Sequence, residues 1–212
     1  MKKTEIKELK KKNTAIFKIT KFTIVNPIFR VYFRGKVING DKVPTTGKLI
    51  IVSNHASVFD PPLLVCGLNR PVSFMAKQEL FSAPAFGNLI TALGAYPVDR
   101  EKGDRNAIRQ AMMRIDTGWA TCLFLEGTRT LDGRIYEPKM GAALISAKTQ
   151  APLLPVCLIG TEKILTPHHK FPQPVPVTIK IGDLIQPPTS SNKDELLRIT
   201  AECADSINQL HQ

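Results

Sequence analysis

The segment Asn54-His55-Ala56-Ser57-Val58-Phe59-Asp60 sets an imidazole and a carboxylate five residues apart. A histidine so placed can serve as a general base when a carboxylate holds its other ring nitrogen and fixes the tautomer. Asp60 is the natural partner, because a tight turn would return it beneath His55. Pro61-Pro62 then fixes the backbone behind Asp60 and can open a helix. For an isolated pair the commoner outcome is structural: a hydrogen-bonded histidine and a helix N-cap aspartate. Other blocks of the chain shift the balance toward chemistry.

Phe124-Leu125-Glu126-Gly127-Thr128-Arg129-Thr130 brings Glu, Gly, Thr and Arg together behind an apolar run. Gly127 allows a ligand to approach the backbone closely. Arg129 offers a planar fork of donors suited to phosphate. The structural alternative is a surface ion pair between Glu126 and an arginine. Gly94-Ala95-Tyr96-Pro97-Val98-Asp99-Arg100 carries a second arginine, and Lys77 follows the apolar run before it. A lone basic residue at a strand end is usually solvated. Three at the carboxyl ends of neighbouring strands, on the edge that holds His55, favour a pocket for an anion. His168-His169 are adjacent and would point apart on a strand, with no accompanying carboxylate pattern, so no metal site is expected.

These residues need a frame, and the hydrophobic pattern supplies one. Short β-branched runs predict strands over 49–52, 72–76, 96–98, 120–125, 153–159 and 175–181. Between them, helical spacing predicts helices over 62–68, 84–93, 104–116, 141–149 and 193–210. Strands alternating with helices imply an α/β fold with a largely parallel central sheet flanked by helices. With 212 residues the chain has room for one such core. The expected division is an N-terminal membrane-association segment, 1–35, and an α/β domain, 36–212.

Charge separates these two parts. Residues 1–36 hold eleven Lys and Arg against Glu5 and Glu8, a net +9 of the chain's formal +11. Such a terminus seeks an anionic surface. Nucleic-acid binding would want basic groups interleaved with exposed aromatics on the folded body, and none is expected. In the apolar segment 14–33, Thr14, Lys18 and Lys21 fall on one narrow helical strip and leave a broad apolar face. That pattern suits an amphipathic helix lying in a bilayer interface, and Asn26-Pro27 is expected to break it into two short helices. The alternative is a terminal helix packed on its own core. No run reaches the ~18–20 apolar residues of a membrane span, and Lys18 and Lys21 interrupt any signal-peptide core. Cys66, Cys122 and Cys157 lie in apolar runs with no Cys-x-x-Cys pair, as expected of reduced core thiols.

The ordered blocks Asn54-His55-x4-Asp60, Gly94-x-Tyr-Pro-Val-Asp-Arg100, Phe124-Leu-Glu-Gly-Thr-Arg129 and Ala151-Pro-Leu-Leu-Pro-Val156 resemble the glycerolipid acyltransferase family, in its PlsC-type 1-acyl-sn-glycerol-3-phosphate acyltransferases. The resemblance covers roughly residues 30–185. It implies transfer of a fatty acyl chain from acyl-CoA or acyl-ACP to the sn-2 hydroxyl of lysophosphatidic acid, giving phosphatidic acid, with another lysophospholipid as the alternative acceptor. His55 is then the base and Asp60 its orienting carboxylate. Arg100, Glu126, Gly127, Thr128 and Arg129, with Lys77, would hold the phosphate end of the acceptor. The donor is a co-substrate, and no cofactor or metal is implied. A peripheral or monotopic place on the cytoplasmic face of an anionic membrane follows. No Gly-x-Ser-x-Gly elbow is present, so the acceptor hydroxyl itself would attack, without a serine acyl-enzyme. The chain departs from the family at Leu125, where Pro is usual, and at Tyr96-Pro97, where an aliphatic pair is usual.

Overall fold

The computed structural model describes residues 14–98, 104–166 and 171–212. The Lys-rich residues 1–13, Arg100 and the His168-His169 pair lie outside them. Seven strands form one sheet: β1 (Lys36–Ile38), β2 (Ile50–Ser53), β3 (Val72–Lys77), β4 (Ala95–Val98), β5 (Ala120–Phe124), β6 (Leu153–Ile159) and β7 (Thr178–Ile181). Their order across the sheet is β1-β7-β6-β2-β5-β3-β4. Every pairing is parallel except β6 with β7.

Helices cover both faces. Helix α1 occupies residues 14–32, and α2 is Asp60–Leu64, continued by a 3-10 turn, Val65–Gly67. The remainder are α3 (Pro84–Ala92), α4 (Asp104–Asp116), α5 (Gly141–Thr149) and α6 (Lys193–Leu210). Alternation along the strands divides the core in two. Ile51, Cys122, Phe74, Leu154 and Val156 face one layer, which includes Phe17, Phe29, Phe33, Leu63 and Leu93. Ile50, Val52, Leu153 and Cys157 face the other, with Ala111, Ile115, Ile145, Ile199 and Ile207. Central strand β2 is buried along its whole length, as expected of a parallel strand covered on both sides.

Two departures from expectation have clear causes. The short strand β1 was not anticipated: its three residues are largely exposed and show no apolar alternation. It exists because β7 offers it a parallel partner. Nor does Asn26-Pro27 split α1. Asn26 and Pro27 both keep right-handed helical angles, flanked by π-helical turns at Lys21–Val25 and Ile28–Tyr32. Proline lacks an N–H and crowds the carbonyl four residues back. Widening the ladder to five-residue spacing, as in Asn26 N–H to Lys21 O and Phe33 N–H to Ile28 O, accommodates both defects.

Helix α1 also disposes of its residues differently from a simple amphipathic strip. Lys21 is not on the polar side; it is buried, and its Nζ donates to the carbonyl of Leu68 at the end of the 3-10 turn. An ammonium there meets the negative end of the α2 peptide dipoles, while burial holds its pKa below the usual lysine value. One face of α1, with Phe17, Val25 and Phe29, joins the core. The other leaves Ile19 and Phe22 each 62% exposed and Val31 79% exposed. Among the described residues no helix is long and apolar enough to cross a membrane. Pro97 sits in β4, an outer strand of the sheet, where a missing N–H can face outward.

Candidate active site

Strands β2 and β5 run in parallel with Ser53 beside Phe124, so their carboxyl ends release His55 and Glu126 side by side. Strand β3 lies next to β5 and ends at Lys77, with β4 beyond it. Lys77 is therefore two strand spacings, roughly 10 Å, across the sheet from β2. It is exposed at the expected edge. Arg100, the second arginine expected here, lies outside the described residues.

The His55–Asp60 pair is formed. His55 Nδ1 lies 2.7 Å from Asp60 Oδ2, and the Asp60 side chain is fully buried. The same oxygen accepts from the backbone N–H of Ala56 at 2.7 Å and of Ser57 at 2.8 Å. Asp60 does not cap its helix; the N-cap position is Phe59. The carboxylate instead closes the turn that precedes it and presents one oxygen to the ring. A carboxylate can only accept, so Nδ1 carries the proton and Nε2 is the basic nitrogen. The ring lies flat on Phe124, with centroids 4.0 Å apart and planes 14° from parallel. The carboxylate therefore sets the ring's tautomer, while the stacked phenyl limits its tilt. Asp60 Oδ1 is buried without a hydrogen-bond partner among the described residues.

The residue before the histidine is as tightly held. Asn54 is buried; its Nδ2 donates to the carbonyls of Gly133 (2.7 Å) and Leu158 (2.8 Å), and its Oδ1 accepts from Leu158 N–H (2.8 Å). An asparagine between a strand and a histidine carries no distinctive signal by itself, and its role as a brace emerges only from the fold.

The loop after β5 returns over this edge. Glu126 Oε1 accepts from the backbone N–H groups of Tyr136 and Glu137, so the carboxylate organises its own loop. Gly127 has φ +69°, a conformation that favours glycine, and a Cβ there would meet open space. Thr128 and Arg129 are exposed, and Arg129 has no hydrogen bond or ion pair among the described residues. Thr130 N–H donates to the carbonyl of His55 at 2.8 Å. Leu125, where the resembled family usually has proline, donates its N–H to the Ser53 carbonyl at 3.0 Å and so extends the β2–β5 ladder by one bond that proline could not make. Tyr96, the other departure, is buried with the Arg114 guanidinium 4.7 Å from its ring centre.

Behind the loop, between α4, α5 and the sheet, lies a cavity of about 210 Å³. Met75, Ile108, Leu123, Leu125 and Ile145 line it, together with Gly127. Among the described residues no three His, Cys, Asp or Glu side chains are grouped as metal ligands.

Residues 34–159 match the Acyltransferase family. A chloroplast 1-acyl-sn-glycerol-3-phosphate acyltransferase of Brassica napus is 34% identical over 118 residues, which are 55% of this chain and 34% of that protein. The 1-acyl-sn-glycerol-3-phosphate acyltransferase of Bacillus subtilis is 31% identical over 126 residues, 59% of this chain and 62% of that one. The chain thus spans about a third of the plant relative and less than two thirds of the bacterial one. The crystal structure of the 1-acyl-sn-glycerophosphate acyltransferase PlsC from Thermotoga maritima superposes with a TM-score of 0.71 at 26% identity, covering 90% of this chain and 80% of that one. The matched stretch takes in His55, Asp60 and the Glu126–Arg129 loop and extends over more than half of the sequence, so the chain belongs to the acyltransferase family.

Proposed function

We propose that the protein is a 1-acyl-sn-glycerol-3-phosphate acyltransferase, moving a fatty acyl chain from acyl-CoA or acyl carrier protein to the sn-2 hydroxyl of lysophosphatidic acid. The observation that carries this reading is the His55–Asp60 contact of 2.7 Å, beside a loop that offers an uncommitted arginine. His55 Nε2 takes the proton as the acceptor oxygen attacks the thioester carbonyl, a contribution of about 10²–10⁴-fold. The tetrahedral intermediate then collapses, the C–S bond breaks, and the departing thiolate takes the proton from the imidazolium, which returns His55 to its neutral form. Asp60 stabilises that imidazolium without taking the proton. Arg129, with Lys77 at the end of β3, clamps the acceptor phosphate and positions the hydroxyl, a role the resemblance extends to Arg100. The apolar cavity behind Gly127 offers the lining that a fatty acyl chain seeks. The reaction needs no cofactor or metal beyond the acyl donor.

The outer face of α1 fits the same reading. Ile19, Phe22 and Val31 project from a segment whose sequence holds most of the chain's positive charge. An apolar face accompanied by exposed Lys18 and Arg30 suits the cytoplasmic surface of an anionic bilayer, where a lysophospholipid acceptor resides. Incubation of purified protein with labelled acyl-CoA and a panel of lysophospholipids tests the proposal. Product should form best with lysophosphatidic acid and vanish in His55→Ala. A His55→Ala variant keeping more than about a tenth of turnover would remove the general-base assignment.

A further inference from the structure

The loop that carries Arg129 is tied down at four points between residues 130 and 137. Thr130 N–H binds the His55 carbonyl, Gly133 O accepts from Asn54, and Glu126 takes the N–H groups of Tyr136 and Glu137. The fourth tie comes from outside this neighbourhood. Asn208, near the end of α6, accepts from Ile135 N–H at 2.9 Å through Oδ1 and donates to Ile135 O at 2.8 Å through Nδ2. One amide side chain therefore satisfies both backbone groups of a buried residue, much as a neighbouring strand would.

The geometry points to Asn208 as a positioning residue for acyl transfer, acting through the loop rather than on the substrate. Asn208 lies 49 residues beyond the matched family stretch of 34–159. The loop is pinched between two amides: Asn54, adjacent to His55, holds Gly133, and Asn208 holds Ile135 two residues later. Gly133 itself has φ +74°, and a Cβ there would lie 3.2 Å from both Asn54 Nδ2 and His211 Nε2. Helix α6 thus abuts the segment that braces the base on one side and carries the phosphate-facing arginine on the other. Without Asn208 the loop keeps its ties to His55 and Asn54, but Ile135 loses both partners and Arg129 loses a fixed mount.

Helix α6 does not depend on Asn208 for its own docking. Leu196, Ile199, Cys203, Ala204 and Ile207 bury its apolar side, and alanine is a better helix former than asparagine. Asn208→Ala should therefore act on the loop alone. This inference rests on the acyl-transfer reading above, and its test has one arm that does not. In the whole 212-residue chain, amide hydrogen exchange at Ile135 should rise about tenfold or more in Asn208→Ala, with β6 unchanged. In the kinetic arm, KM for lysophosphatidic acid should rise about fivefold to tenfold while KM for acyl-CoA stays within about twofold. Unchanged exchange at 130–137, an equal rise throughout β6, or an unaltered acceptor KM would each overturn the inference. Should wild-type protein transfer no acyl group, the acyl-transfer reading falls instead, and the exchange arm still decides whether Asn208 holds the loop.

Discussion

Replacing Asp60 by asparagine separates geometry from charge at the centre of the site. The amide oxygen can occupy the place of Oδ2 and keep all three donors: His55 Nδ1, Ala56 N–H and Ser57 N–H. Ring tautomer and loop therefore survive, and only the negative charge is lost. With an effective dielectric of about 20 and charge centres about 4 Å apart, that charge stabilises an imidazolium by at most about 4 kcal/mol. A charge-assisted hydrogen bond contributes about 1.5–3 kcal/mol by mutational measure. Taking 2–4 kcal/mol as the range, kcat should fall about 30-fold to 1000-fold. A folding cost accompanies it, because the amide NH2 would replace Oδ1, which is buried without a partner. That cost is about 1–3 kcal/mol. The assay is initial-rate transfer of labelled acyl groups to lysophosphatidic acid in detergent micelles, at saturating donor, normalised to the folded fraction from near-UV circular dichroism. Turnover above a third of wild type in folded Asp60→Asn would refute the role of the charge and reduce Asp60 to a loop staple.

Three further outcomes are expected. Arg129→Ala should raise KM for the phosphate-bearing acceptor by about tenfold or more and leave donor KM nearly unchanged, since a charged hydrogen bond to phosphate is worth about 1.5–3 kcal/mol; a change confined to the donor would reverse the pocket. The triple variant Ile19→Asp, Phe22→Asp, Val31→Asp alters exposed positions only, so its melting temperature should hold while partitioning to anionic vesicles drops roughly a thousandfold, at about 1.5 kcal/mol per side chain; undiminished flotation would move the membrane contact elsewhere. Burial pushes the thiols of Cys66, Cys157 and Cys203 from 9.0 up to about 12, and that of Cys122 upward as well. The unfolded chain therefore releases these protons first, and stability, intact below pH 9, should decline between about pH 9 and 12 in denaturant titrations; a flat profile there would contradict it.

The parts of the fold legible in the sequence are those whose own residues decide them. Helices Asp104–Asp116, Gly141–Thr149 and Lys193–Leu210 and strand Leu153–Ile159 fall where periodicity places them. Strand Lys36–Ile38 does not, because its pairing comes wholly from β7. The antiparallel sense of β7 against β6 is likewise a matter of how the chain returns, which no local pattern encodes. At the site, the meeting of His55 with Asp60 was legible because five residues and a turn suffice to bring them together. Glu126 had a surface ion pair with an arginine as its structural alternative; its acceptance from the N–H groups of Tyr136 and Glu137 instead needs a loop path that sequence does not trace. Asn208 gave no signal at all, as one half-buried polar residue at the margin of an amphipathic helix's apolar face. Lys21 misled for the opposite reason: a lysine on a helix is expected outside, and only the carbonyl of Leu68 makes the interior tolerable.

The two rims of the sheet bear on how the protein behaves at high concentration. A strand with unpaired N–H and C=O groups invites a second chain to add itself, the first step toward fibrils and disordered aggregates. At one rim β1 is three residues long and bears Lys36; at the other Pro97 removes a donor from β4. Neither offers a long, regular template for strand addition. Replacing Pro97 with valine would restore that donor on an exposed position, and colloidal robustness is the property it would put at risk.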